Sequence, residues 1–184
     1  MNASNVTESF AKMKEAAKSQ WPAFFDVLRS APVSTDRLRD AEKHLGILLP
    51  DEVQSLYRLS SFDGAETIEP IFDVYCFVPF DWLLQYPKAS VERWTVGNRV
   101  YVPLLTDGAG SDLVFSTSRE SPQPVSPILR REYVDLAAWF DSITQMCDSF
   151  AAALQAGVFP GRTNEDQRRA LEIVRRLNPG SLAE

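Results

Sequence analysis

The residues of this chain that first suggest chemistry are two aspartates flanking a pair of glycines, Asp107 and Asp112 in the segment DGAGSDLVF. Loops of this composition hold cations or phosphates. An EF-hand loop would need ligands where Ala109 and Ser111 stand, and a P-loop would need a lysine directly after Gly110. A dinucleotide-binding loop would lead into a helix, whereas a strand-like run follows here. The segment therefore predicts a tight turn in which Asp107 accepts hydrogen bonds from the turn's own amides.

The chain has one histidine, His44, so any catalytic arrangement with an imidazole base would have to use it. His44 falls in the last turn of a predicted helix, where the helix dipole favours an imidazolium. Neither GxSxG nor HExxH occurs, and Cys76 and Cys147 are isolated thiols that we interpret as reduced core residues. These patterns favour a non-enzymatic protein with no cofactor and no metal site. A carboxylate pair of the glycosidase kind stays open, because only the fold sets its spacing.

The net charge is −6, and the acidic residues are concentrated between residues 51 and 81. A nucleic-acid-binding role would need a basic footprint instead. This acidic window contains one base, Arg58, and is either a solvated face or a docking surface for a basic protein partner. Its carboxylates are Asp51, Glu52, Asp63, Glu66, Glu69, Asp73 and Asp81, and its aromatic residues suited to an exposed contact are Phe62, Phe72, Tyr75 and Trp82.

The N-terminal segment lacks the basic and apolar regions of an export signal, and no apolar run approaches the length of a membrane-spanning helix. We therefore expect a cytoplasmic protein without membrane association. A chain of 184 residues with 45% apolar content suits one compact domain.

The first third of the chain has helical spacing. Apolar residues at three- and four-residue steps predict a helix over residues 7–30 that is split or kinked at Pro22. A second helix is predicted over residues 34–46, where Gly46 suits a left-handed C-cap. A third is predicted over residues 49–63, because proline fits the first helical turn and acidic residues suit its dipole.

The middle of the chain changes to short runs rich in β-branched and aromatic residues. Strands are predicted at residues 70–78, 99–105, 112–117 and 125–129, with a short helix or turn at 80–86. The short connections between these runs favour an antiparallel sheet.

Two helices are predicted to complete the domain. A stripe from Leu136 through Phe140 to Leu154 predicts one buried helix from Asp135 to just before Gly157. A last helix is predicted over residues 165–177. The fold class is therefore α+β, with a mostly antiparallel sheet of about four to six strands packed against helices.

Residues 34–64 contain an ordered pattern that comprises Ala41-Glu42, Leu45-Gly46, Leu49-Pro50, the apolar helix at 53–59 and Gly64. This pattern resembles the SUKH superfamily, which includes a yeast cell-wall assembly regulator and many bacterial proteins. The similarity continues through residues 102–103, 110–113, 138–140 and 154–157. Residues 138–140 fall in the helix predicted from Asp135. Two positions depart from the family pattern: Asp63 stands where asparagine is common, and Ser116 where an acidic residue is common.

The resemblance implies one SUKH-like domain over residues 1–184, with a core at about 34–160, an N-terminal helical extension at 1–33 and a C-terminal helix at 161–184. It also implies a non-enzymatic binding fold. Bacterial members are largely immunity proteins that neutralise a toxin, and the acidic window suits a basic toxin such as a nuclease. One alternative is an intracellular regulator or scaffold of the cell-wall assembly regulator type, whose flanking helices recruit partners. The remote alternative is an enzyme with a carboxylate-based site.

The predicted partner contacts are six carboxylates from the acidic window and the glycine turn. If the two aspartates of the turn contact the partner, charge reversal at both should weaken the complex and leave thermal stability unchanged. The oligomeric state stays open, although an edge strand at residues 70–78 could support self-pairing. The six residues are Asp63, Glu66, Glu69, Asp73, Asp107 and Asp112.

Overall fold

The structure, a computed structural model, describes residues 3–67, 75–121, 123–132, 135–158 and 163–180. Its helices are α1 (Ala3–Gln20), α2 (Pro22–Val27), α3 (Thr35–Leu45), α4 (Asp51–Tyr57), α5 (Phe80–Gln85), α6 (Lys88–Arg93), α7 (Ile143–Gln155) and α8 (Asn164–Leu177), with a 3-10 turn at Ala65–Thr67. Its strands are β1 (Cys76–Phe77), β2 (Thr95–Val96), β3 (Arg99–Thr106), β4 (Ser111–Ser118), β5 (Ile128–Glu132) and β6 (Asp135–Phe140).

The strands form one antiparallel sheet in the order β1-β3-β4-β5-β6, and β2 also pairs with β3. Helices pack against this sheet, so the predicted α+β class is confirmed. On one face Phe77 contacts Phe150 of α7, with ring centroids 5.9 Å apart. On the other face Trp94, at the end of α6, lies over Arg131 of β5. The long β3–β4 hairpin therefore lies inside the sheet, with β1 on one side and β5 on the other.

The N-terminal helix α1 contributes to the common core. Val6, Phe10, Met13 and Ala17 recur at helical spacing and are buried. The helix packs along α7 and against α4, and Phe10 contacts Phe62 edge-on at 6.4 Å. The domain boundary predicted at residue 34 stays untested, but the inner side chains of α1 belong to the same core as the sheet.

The connection from α3 to α4 gives structural roles to residues of the SUKH-like pattern. Ser34 caps α3 by accepting a hydrogen bond from the Arg37 amide, and Gly46 ends it with φ of 65°. The Glu42 carboxylate then accepts a 2.9 Å hydrogen bond from the backbone amide of Leu49, which is buried. The carboxylate of Glu42 thus holds the turn that starts α4.

The predicted helix from Asp135 is wrong in its first part, because residues 135–140 form strand β6 and helix α7 begins only at Ile143. Positions four apart share a face in a helix and also in a strand, so Leu136 and Phe140 fit both periods. Hydrogen-bonded pairing with β5 stabilises residues 135–140 as a strand. Ser142 then caps α7 by accepting a hydrogen bond from the Gln145 amide. Leu136 is 40% exposed instead of lying in a buried helical stripe.

Glu52 stabilises a helix other than its own. In sequence it suits the dipole of α4, but its side chain is only 4% exposed and points to the start of α7. Its Oε2 accepts a 3.2 Å hydrogen bond from the Ile143 amide, and its Oε1 accepts a 2.9 Å bond from the Thr144 hydroxyl. The carboxylate therefore satisfies donors at a helix N-terminus 91 residues away.

Replacing Glu52 with alanine is expected to lower the free energy of unfolding by about 1–3 kcal/mol, because the Ile143 amide would stay buried without an acceptor. Glutamine keeps one acceptor oxygen, so Glu52→Gln should lose less than Glu52→Ala. Urea denaturation followed by circular dichroism measures both losses. Equal losses for the two variants would contradict the capping role.

Candidate protein-binding surface

The glycine segment is a turn between β3 and β4, as predicted. One oxygen of Asp107, Oδ1, accepts hydrogen bonds from the amides of Ala109, Gly110 and Ser111 at 2.7, 2.9 and 3.0 Å. Both glycines have positive φ, 71° at Gly108 and 113° at Gly110, which glycine adopts without strain. The Asp107 carboxylate is therefore occupied by the turn that contains it.

Asp107→Ala is expected to destabilise the domain by about 1–2 kcal/mol, because three turn amides lose their shared acceptor. Asp107→Asn keeps the acceptor oxygen and removes the charge, so it should fold nearly as well as wild type. Thermal melts of the two variants test this order. A lower melting temperature for asparagine than for alanine would contradict it.

Asp112 is buried, so the structure does not support its predicted role as an exposed partner contact. It is 6% exposed and forms an ion pair with Arg131, which is 5% exposed. The guanidinium lies over the ring of Trp94, with its carbon 4.0 Å from the ring centroid. Charge reversal at Asp112 would therefore destabilise the core, contrary to the expectation of unchanged thermal stability. Ser116, the second departure from the family pattern, is fully buried as well.

The acidic window divides into buried, paired and available carboxylates. Glu52 is buried, and Asp81 forms an ion pair with Arg37. Asp63 and Glu66 are exposed, and Asp63 accepts a 2.8 Å hydrogen bond from the Ser61 hydroxyl. Two further predicted contacts, Glu69 and Asp73, lie outside the described residues.

A groove opens next to Glu66, between the 3-10 turn, β1 and α5. It has a volume of about 310 Å³, and its described lining is mostly apolar. Trp82 forms one wall, is 39% exposed and stacks on Tyr86 with ring centroids 4.6 Å apart. We call this the Trp82 groove; its lining residues are Glu66, Cys76, Phe77, Val78, Pro79, Trp82, Gln85 and Thr106.

The predicted aromatic contacts separate clearly in the structure. Trp82 is available at the surface, whereas Phe62 and Tyr75 are buried. Phe72 lies outside the described residues. The sequence therefore pointed to an aromatic residue that is exposed, but it did not predict the groove, since Glu66, Cys76 and Trp82 come from separate elements that only the fold brings together.

The negative charge of Glu66 acts on Cys76, which also lines the groove. Burial raises the pKa of the Cys76 thiol, and the negative charge of Glu66 raises it further. None of the residues described as lining the groove is a lysine or arginine. The Trp82 groove therefore combines apolar surface with an exposed carboxylate, and its described lining contains no cationic side chain.

The sequence was compared with models of known protein families. The model of the SMI1 / KNR4 family (SUKH-1) matches residues 32–156, about two thirds of the chain. The chain belongs to this family. SUKH-1 proteins are generally non-enzymatic domains of the immunity or regulator type and typically interact with other proteins. No curated protein matches the sequence.

The SUKH-1 match contains most of the site and leaves out three helices. It spans the α3–α4 block, the Trp82 groove and the whole sheet. Helices α1 and α2 precede it, and α8 follows it. The groove is thus part of the family domain, whereas the exposed face of α8 is not.

Other chemistry-bearing residues of this SUKH-1 chain have structural partners. The Nε2 atom of His44 lies 3.0 Å from the carbonyl oxygen of Tyr86, which joins α3 to the end of α5. Cys147 is buried, but Cys76 is only half-buried, so the prediction of two core thiols is correct for one of them. Within the described ranges, no three His, Cys, Asp or Glu side chains cluster as metal ligands would, and no helix has the length and apolar character needed to cross a bilayer.

Proposed function

We propose that this SUKH-1 domain is an immunity protein that binds and neutralises a toxin with a basic surface. The observation that carries the proposal is the Trp82 groove within a family domain that typically binds proteins. An exposed tryptophan beside an apolar surface is the usual composition of an interface hot spot. The exposed carboxylate of Glu66 favours a cationic partner.

A nuclease is the toxin class that best suits this surface. The active-site groove of a nuclease is basic because it binds phosphates. Exposed carboxylates such as Asp63 and Glu66 would occupy the phosphate positions and exclude the substrate. Attraction of this kind speeds association and weakens with added salt.

The test is co-expression of the full chain with toxin domains encoded by the adjacent genes. Growth should be restored for the cognate toxin, and the two purified proteins should form a complex. Absence of both rescue and complex formation with every adjacent toxin would refute the immunity function.

A matched pair of variants tests the acidic surface itself. The double variant Asp63→Asn/Glu66→Gln is expected to weaken toxin binding by at least about tenfold, in part through slower association. Glu120 is an exposed carboxylate two residues beyond Ser118, the opposite end of β4, which lies about 23 Å from Ser111 at 3.3 Å per residue. Glu120→Gln is therefore the control and should bind like wild type. Equal binding by all three proteins would exclude this surface.

The regulator alternative is supported by a different surface. Helix α8 lies outside the SUKH-1 match and has four exposed arginines, Arg168, Arg169, Arg175 and Arg176. Its inner residues Ala170 and Val174 are buried against the domain. A scaffold that recruits an acidic partner through α8 should lose that partner in the double variant Arg169→Glu/Arg176→Glu. Unchanged partner recruitment would argue against this alternative.

A further inference from the structure

The Trp82 groove offers three chemical features within one small space. The indole of Trp82 is a flat, electron-rich wall, and the partly exposed side chain of Pro79 contributes apolar surface. Glu66 contributes a carboxylate. A volume of about 310 Å³ is at the lower end of the range for ligand sites, so it suits one or two side chains of a partner.

We propose that the Trp82 groove binds an arginine side chain from a loop of the protein partner, with the guanidinium against Glu66 and its plane on the Trp82 ring. The neighbouring apolar residue of that loop packs on Pro79. This inference rests on the proposed function, because it specifies the residue through which the partner is recognised.

Arginine fits the groove better than lysine for geometric reasons. A guanidinium is planar, so it stacks on an indole ring and still presents paired donors to a carboxylate. It is also more weakly hydrated than an ammonium group, which suits a mostly apolar lining. The chain shows a related arrangement internally, where the guanidinium of Arg131 lies over the Trp94 ring and forms an ion pair with Asp112.

The groove contains its own reporter, the half-buried thiol of Cys76. The second cysteine, Cys147, is fully buried, so a maleimide should label Cys76 alone in the folded protein. Because the pKa of Cys76 is raised, labelling is followed at mildly alkaline pH, where more of the reactive thiolate is present. Bound partner should protect Cys76 in proportion to the fraction of protein in the complex.

A cysteine elsewhere on the surface is the matched control for labelling. Val96 is 65% exposed in β2, outside the groove lining. In a Cys76→Ser/Val96→Cys variant, the partner should leave the labelling rate unchanged. Protection of Cys76 that rises with the concentration of the immunity protein alone would show a second copy in the groove and overturn the proposal.

Variants at Trp82 and Glu66 test the arginine contact separately from the proposed immunity function. Trp82→Ala is expected to weaken toxin binding by about 10- to 100-fold, and Glu66→Gln by about tenfold. Val96→Ala should leave binding unchanged. If wild type neutralises the toxin, but both groove variants bind normally and Cys76 stays reactive in the complex, the inference fails and the immunity function stands.

A short peptide tests the groove without any toxin. The probe is a capped Leu-Arg-Leu tripeptide, and its control is the citrulline analogue, which has the same shape but no charge. The arginine peptide should protect Cys76 at lower concentration than the citrulline peptide, and Glu66→Gln should remove the difference. Equal protection by the two peptides, or none by either, would overturn the arginine assignment even if no toxin is neutralised.

Discussion

Deletion of residues 1–20 is expected to unfold the domain. Helix α1 buries Val6, Phe10 and Met13 in the same core as α7 and the sheet, and each side chain of this size contributes about 1.5–3 kcal/mol on burial. Their combined loss is comparable with the whole stability of a typical domain, about 5–15 kcal/mol. Removal of the helix would also expose the apolar surface of α7 that it covers.

Circular dichroism and size-exclusion chromatography measure this outcome directly. The truncated chain should lose its cooperative thermal transition or aggregate. Deletion of residues 163–180 is the comparison, since α8 fully buries only Ala170 and Val174 and packs Leu171 and Ile173 partly buried against the core. That variant should keep a cooperative transition at lower temperature. A well-folded chain after the first deletion would show instead that α1 is a separable extension.

This prediction changes how the regulator alternative is tested. If the N-terminal helices recruited partners independently of the core, their removal would abolish binding and leave the fold intact. Since α1 is part of the core, loss of binding after truncation would not identify a binding surface. Charge substitutions on the exposed face of α8 avoid that difficulty.

The second large effect is expected at the buried ion pair. Asp112→Ala should lower the free energy of unfolding by about 3–5 kcal/mol, because the Arg131 guanidinium would stay buried without its counter-charge. The guanidinium Nε and Nη1 atoms have no hydrogen-bond partner among the described residues, and the neighbouring Tyr86 hydroxyl carries no charge that could replace the carboxylate. The adjacent ring of Trp94 compensates only part of the charge.

The double variant Asp112→Leu/Arg131→Met is the informative control. It removes both charges and keeps apolar volume, so it should be more stable than Asp112→Ala alone. Urea denaturation of wild type and the two variants gives the three free energies. If Asp112→Ala lost less than about 1 kcal/mol, the ion pair would behave as an exposed one.

The sequence predicted best where short-range chemistry decides the structure. The turn at residues 107–110 follows from glycine at positive φ and an aspartate that bonds nearby amides. The ends of α3 follow from a serine cap and Gly46. The strands at 99–105 and 112–117 also agree closely with β3 and β4. Each of these features depends on residues within a few positions of one another.

Secondary-structure prediction failed where the same apolar residues fit both the helical and the strand period. Leu136 and Phe140 fit a helix and a strand equally, and the choice depends on pairing with β5. The exposure of Asp112 was also predicted wrongly. An aspartate after a glycine turn is usually solvated, whereas Asp112 is buried. Only the partner Arg131 on the neighbouring strand makes its burial tolerable.

The sequence alone therefore determined the fold class, the family resemblance and the non-random placement of acidic residues. The tertiary structure decided which of those acids are available, burying Glu52 and Asp112 and leaving Asp63 and Glu66 exposed. It also assembled the Trp82 groove from three elements. The physical reason is that burial and neighbourhood are properties of contacts between distant segments, which local spacing does not encode.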